Sequence, residues 1–237
     1  MSFTIGCDPE LVCRKNGQFV NAQNYFKSNS SMGLDGCESI AEVRPGYSTS
    51  PIDLTAKIHK ILDYGHSKQP ELEFISGHYA DDFALGGHIH FAVTPEPKII
   101  SALDTVLYSL SNCIDDRQQR IKRERTGYGK KSAYRKKYYG FEYRTPGSFI
   151  LSPATTLVTF TLAKLAVHSV LEDNLDFVEL KERQHSRTFI LNLKHLLHTI
   201  PEDCREGLKE LDVLLTKTLN WNENILINWQ LIREVAV

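Results

Sequence analysis

Four short segments of this chain share one design, and it limits the fold more than any other feature. In "GCDPE", "AEVRP", "GGHIHF" and "GFEYRTP", ionisable residues recur two positions apart: Asp8 and Glu10, Glu42 and Arg44, His88 and His90, Glu142 and Arg144. Side chains in a strand alternate between faces, so each pair lies on one face of its strand. In three segments the residues between are apolar: Ala41 and Val43, Ile89 and Phe91, Phe141 and Tyr143. Solvated strand faces usually carry Thr, Ser and Lys. A face of acids, histidines and arginines is a working face, and the opposite face has to be covered. The expected fold is therefore α+β, an antiparallel sheet open to a ligand on one side and packed under helices on the other.

The rest of the chain fits this frame. "FTIGC" and "LVCRK" read as short strands flanking Asp8-Pro9-Glu10, and Asn16-Gly17 is a hairpin turn signal. Ser50-Pro51 and Ser152-Pro153 each pair a capping serine with a proline at the first helical position, opening helices to about residues 64 and 171. Apolar residues at helical spacing predict one helix from 97 to about 123, and two or three amphipathic helices follow 171, the clearest over 201–219. The expectation is one domain over 1–237, with the sheet and its motifs in 1–150 and a helical part, 151–237, packed on it.

Charge is unevenly spread. The net charge is −1, but residues 117–137, "RQQRIKRERTGYGKKSAYRKK", hold ten Lys/Arg against one Glu. Such a block points to an anionic partner. No run approaches the ~20 apolar residues of a membrane span, and "MSFTIGCDPE" does not read as a signal peptide. Five scattered cysteines without a CxxC pair form neither a disulfide framework nor a cysteine zinc site, so a cytoplasmic setting is expected. His195 and His198 are spaced for one helix face but have no nearby acids, which argues against a metal site there.

Carboxylates and histidines on neighbouring strands suit Mg²⁺, which prefers oxygen ligands and phosphates. Arg44 and Arg144 can pair with the glutamates at rest or grip a phosphate or carboxylate. The basic loop, with Gly127 and Gly129, can close over a polyphosphate. Two other readings compete. A zinc-dependent hydrolase would use the His88/His90 pair but leaves the basic loop unused. A nucleic-acid-binding module would use 117–137, with Tyr128 and Tyr134 as stacking aromatics, but gives the carboxylates no purpose.

The ordered set "GCDPE", "DGCESIAEVRPGYS", "GGHIHF" and "RTGYGKKSAYRKKYYGFEYRTPGS" resembles the phage-type carboxylate–amine ligases (amidoligases of the COOH.NH2 ligase type 2 family), distant relatives of glutamine synthetase and glutamate–cysteine ligase. The resemblance spans residues 5–152. It implies a glutamine-synthetase-like antiparallel sheet whose concave face binds ATP and Mg²⁺ or Mn²⁺, activates a carboxylate as an acyl phosphate, and lets an amine attack it. By position it implies Glu10, Glu42, His88 and Glu142 as metal ligands. Asp8 joins them with a shorter reach than the glutamate of glutamine synthetase. His90, Arg125, Lys130, Arg135 and Arg144 are implied at the nucleotide, with the three arginines as phosphate or carboxylate clamps in the reaction. The implied partners are small-molecule or peptide carboxylates and amines, not a membrane and not nucleic acid, in the cytoplasm of a phage host. Oligomeric state is left open.

Overall fold

The computed structural model describes residues 2–172, 186–196 and 200–231. Part of the helical region expected after 171 lies outside these, as does His198.

A nine-stranded antiparallel sheet is organised around β1 (Ile5–Lys15). On one side, β1 pairs with β9 (Gly87–Phe91), which pairs with β11 (Gly140–Tyr143) and then β10 (Tyr134–Lys137). On the other side, β4 (Ala41–Val43) pairs with β1 and then with β3 (Met32–Leu34). Strands β2 (Gln18–Val20), β5 (Tyr47–Ser48) and β6 (Leu72–Ile75) complete the pairing along β1. A small hairpin, β7 (Tyr79–Ala80) and β8 (Phe83–Ala84), stands apart. Its turn residues Asp81 and Asp82 both have positive φ, and Asp81 takes hydrogen bonds from Arg14.

The expected break at Asp8-Pro9-Glu10 is absent, and one strand runs through it. Proline lacks a ladder donor and is unusual in a central strand. The Glu10 N–H donates to the Gly86 carbonyl on the β9 side (2.9 Å). Successive N–H groups alternate between edges, so the missing Pro9 donor faces the other edge. There β5 has stopped at Gly6 and β4 begins at Glu10, and no hydrogen bond is forgone.

Helices cover the apolar face: α1 (Pro51–Lys68), α2 (Pro97–Ile114) and α4 (Pro153–Leu171), with α5 (Ser186–Leu196) and α6 (Arg205–Leu214) outside them. A last short helix, α7 (Ile225–Asn228), lies against β6. Both serine caps form, with Ser50 Oγ accepting from the Asp53 N–H and Ser152 making a reciprocal box with Thr155. Ile5, Cys7, Ile89, Phe91, Phe141 and Tyr143 join Leu103, Val106, Val158 and Leu162 of the helices in one buried core. Helix α4 is long and apolar enough to cross a membrane, but most of it is buried inside the protein.

Two helix expectations need correction. The helix predicted over 97–123 is two: α2 ends at Ile114, and α3 (Arg117–Arg125) starts afresh. Asp115 is drawn out of the helix by His78 Nε2 (2.5 Å) and Ser111, while Asp116 caps α3 by accepting from the Gln118 and Gln119 N–H groups. The helix predicted over 201–219 reduces to a 3-10 turn (Glu202–Cys204) followed by α6, which ends at Leu214. The basic block is likewise not one loop. It comprises α3, a connection over 126–133, and strand β10.

Candidate active site

Strand register sets the strand residues of these pairs in rows across one face, with Arg44 and Arg144 one residue past the ends of β4 and β11. Asp8 lies opposite His88, Glu10 opposite Glu42, and His90 opposite Glu142, which in turn lies opposite Arg135. Directly paired residues in an antiparallel sheet share a face at Cβ separations of ~5 Å. The ionisable side chains therefore converge.

At the centre, Asp8, His88 and Glu142 each offer a ligand atom within 4.8 Å of the others. His88 Nδ1 is 3.2 Å from Asp8 Oδ1 and 3.6 Å from Glu142 Oε1. Asp8 Oδ1 is buried yet has no hydrogen-bond partner. Buried carboxylate oxygens are rarely left so. An orphaned acceptor beside an imidazole nitrogen and a second carboxylate fits the donor set of a divalent cation.

Glu142 is fully buried and gathers three cations. Arg135 holds it bidentately, with Nε to Oε2 and Nη2 to Oε1 both at 3.0 Å. Lys137 Nζ lies 2.8 Å and Arg144 Nη1 2.6 Å from its oxygens. All three cationic side chains remain partly exposed, so they can turn toward an anion arriving from solvent. Burial pushes the Glu142 carboxyl up, but hydrogen bonds from Lys137 and Arg135 outweigh it and hold the group below its ordinary value. Burial also raises Asp8, and the imidazoles of His88 and His90 overcome this, leaving its carboxyl well below the usual range.

The Glu10 end of the face behaves oppositely. Glu10 is buried, and its two oxygens accept from the Gly86 N–H (2.7 Å) and the Tyr128 hydroxyl (2.8 Å). Its carboxyl is nevertheless raised, chiefly by burial. Glu42 pairs with Arg44. Burial first, and then the carboxylate of Asp8, push its carboxyl up to about 8. Without a cation, the folded state therefore holds a proton on Glu42 that the unfolded chain releases near its ordinary value of 4.5. Across that window stability falls as pH rises. In EDTA the unfolding midpoint should drop between pH 5 and pH 8, and Glu42→Gln should flatten the slope. A wild-type midpoint that is flat or rising, or an unchanged slope in the variant, contradicts this assignment.

The other expected residues divide. Arg135 and Arg144 stand at the site, and the resting pairs Arg44–Glu42 and Arg144–Glu142 both form. His90 touches Asp8 through Nε2 (3.1 Å) and the Tyr139 hydroxyl through Nδ1 (3.0 Å), so both its nitrogens are engaged. It shares the face of His88 but lies outside the Asp8–His88–Glu142 cluster. Arg125, at the end of α3, and Lys130, in the connection, are exposed and are not drawn onto the clustered carboxylates.

Three residues escaped the sequence reading. Lys137 was legible in principle, because it sits two positions after Arg135 on the same strand face. Tyr128 does not stack outward with Tyr134. It points inward to Glu10 and His88. Arg123 belongs to the basic block but is only 1% exposed. Its guanidinium donates to the carbonyls of Thr145 (2.6 Å), Pro146 (2.8 Å) and Arg144 (3.3 Å), and burial lowers its pKa to about 10. It therefore fixes the backbone just beyond Glu142.

The described residues form an α+β fold in which one face of a large antiparallel sheet gathers ionisable side chains and the other is covered by helices. A solved bifunctional glutathione synthetase from Pasteurella multocida superposes with a TM-score of 0.56 at 11% identity, covering 97% of this chain and 51% of that one. This chain thus spans about half the length of that enzyme. A glutamine synthase homologue matches with a TM-score of 0.44 at 11% identity, over 98% of this chain and 71% of that one. No curated protein sequence matches significantly. The model of the Phage phiEco32-like COOH.NH2 ligase-type 2 family matches residues 5–235, and the chain belongs to that family.

Proposed function

We propose that the protein is an ATP-dependent carboxylate–amine ligase that forms an amide or peptide-like bond through an acyl phosphate. The observation that carries this reading is the sharing of Glu142 between a candidate cation cluster and three partly exposed cationic side chains. A metal centre needs the carboxylates and His88, and three cations on one carboxylate, all reachable from solvent, suit a polyanionic substrate beside them.

In this reading Asp8, His88 and Glu142 hold one divalent cation, with Glu10 and Glu42 beside them for a second. Bound Mg²⁺ or Mn²⁺ would neutralise phosphate charge and polarise the transferring phosphoryl group. Arg135, Lys137 and Arg144 leave Glu142 for phosphate oxygens as nucleotide enters, and stabilise the charge that builds during transfer. His90, fixed between Asp8 and Tyr139, faces the same phosphates. Arg125 at the start of the connecting loop and Lys130 within it face the same phosphates when that loop closes over them. The substrate carboxylate attacks the terminal phosphorus and ADP leaves. The amine then attacks the acyl carbon, the C–O bond to phosphate breaks, and inorganic phosphate departs with one former carboxylate oxygen. The carboxylate and amine are small molecules or peptides, and the setting is the cytoplasm of a phage host.

The balance supplies the test. A pool of ¹⁸O-carboxylate amino acids and dipeptides is incubated with amines, Mg²⁺ and ATP. The label should appear in inorganic phosphate. Label in AMP, or amide formation without nucleotide cleavage, overturns the acyl-phosphate route. The zinc-hydrolase reading is disfavoured by geometry, because His90 commits both ring nitrogens elsewhere and does not join His88 in the cluster.

A further inference from the structure

The connection over 126–133 carries one side chain into the polar face. Tyr128 is flanked by Gly127 and Gly129, at φ 83° and 68°, the left-handed region that glycine adopts without strain. Gly129 also leaves room for Arg123, whose guanidinium would overlap any Cβ at that position. This guanidinium lies over the Tyr128 ring at 4.7 Å, and Arg144 approaches it at 5.8 Å. Gly86 clears the other end, since a Cβ there would stand 2.6 Å from the Tyr128 hydroxyl and 2.5 Å from His88 Nε2. Three glycines and a buried arginine thus build a socket for one phenol.

The hydroxyl lies 2.8 Å from Glu10 Oε1 and 2.6 Å from His88 Nε2. A phenol has one proton to give. Tyr128 donates it to Glu10 Oε1, which accepts as a carboxylate, and the other Glu10 oxygen already takes the Gly86 N–H. The hydroxyl oxygen is then left as acceptor for an N–H on His88 Nε2. With the proton held there, Nδ1 presents its lone pair to the space beside Asp8 Oδ1 and Glu142 Oε1. Partners on the distal nitrogen of a metal-binding histidine set its tautomer and orientation, and losing them typically costs 10–100-fold in metal affinity.

We propose that Tyr128 is a positioning residue that fixes His88 as the Nε2–H tautomer, aiming Nδ1 into the cluster while clamping Glu10. The proposal rests on the reading that Asp8, His88 and Glu142 hold a divalent cation, and goes beyond it in giving the connecting loop a direct hold on that site.

Two measurements test it. Nitrogen-15 spectra of the wild-type protein with Mg²⁺ bound, with His88 assigned by comparison with His88→Ala, should show the proton on Nε2. A proton on Nδ1 overturns the proposal with no variant needed. Mn²⁺ titration followed by electron paramagnetic resonance should give a 10–100-fold weaker site in Tyr128→Phe, with the His88 tautomer shifted in the same variant. The substitution removes one oxygen and keeps the ring under Arg123, so the protein should stay folded, with a midpoint lower by several degrees because the buried Glu10 oxygen loses a donor. Equal Mn²⁺ affinity and an unchanged tautomer in Tyr128→Phe overturn the role of Tyr128 alone. A wild-type protein that takes no Mn²⁺ overturns it together with the metal reading.

Discussion

Glu142→Gln is expected to abolish ligation, lowering the rate by at least ~10³-fold, while the protein stays folded. One substitution removes a charge from the candidate cation cluster and the resting partner of Arg135, Lys137 and Arg144. Losing one well-placed electrostatic stabiliser of a transition state typically costs 10²–10³ in rate. Here the metal and the phosphate clamps are lost together. The fold should survive because all three cations are partly exposed and can turn to water, which limits the penalty for leaving them unpaired. Circular dichroism and a thermal scan report the fold, and an ATP-dependent amide-forming assay reports the function. Glu10→Gln should behave similarly, since Glu10 anchors Gly86 and Tyr128. Full activity in both variants would dismantle the site assignment.

Arg123→Met is expected to give the largest loss of stability among changes in the basic block. Arg123 is buried and serves the carbonyls of Arg144, Thr145 and Pro146. An unsatisfied buried polar group costs roughly 1–3 kcal/mol, so the variant should lose about 3 kcal/mol or more. For a chain of this size that is a midpoint lower by about 6–12 °C. Arg125→Met is the control, two residues along the same helix but exposed. Surface changes of that kind usually stay within about 0.5 kcal/mol. Equal, small shifts in both variants would mean that Arg123 does not organise the loop beyond Glu142.

The contrast between these two arginines shows where the sequence was legible. The period-2 alternation of Asp8/Glu10 and His88/His90 was enough to place each pair on one strand face, because side-chain direction in a strand follows from spacing alone, whereas Arg44 and Arg144 stand one residue past the ends of β4 and β11. Which strands are neighbours does not follow from spacing. That Asp8 meets His88, and that the shorter aspartate therefore reaches the cluster, depends on β1 lying beside β9. The serine–proline caps were readable because capping chemistry is local, as both helix starts demonstrate. The break between α2 and α3 was not, since Asp115 is pulled out by His78, 37 residues away in sequence. Charge misled in the basic block. Arg123 reads like its neighbours, and only the turn at Gly127 and Gly129 brings Tyr128 under it and both beneath the surface. Lys137 was there to be read, two residues after Arg135.

In the proposed function one face of the sheet holds divalent metal and nucleotide together. Thermal unfolding of the protein in EDTA, in Mg²⁺, in Mg²⁺ with a non-hydrolysable ATP analogue, and in Zn²⁺ tests it most directly. A ligand present at 100 times its dissociation constant adds about 2.7 kcal/mol, a midpoint shift of roughly 5–10 °C for a chain of this length. The shift should require Mg²⁺ and nucleotide together and disappear in Glu142→Gln. Strong stabilisation by Zn²⁺ with no response to the nucleotide would contradict it.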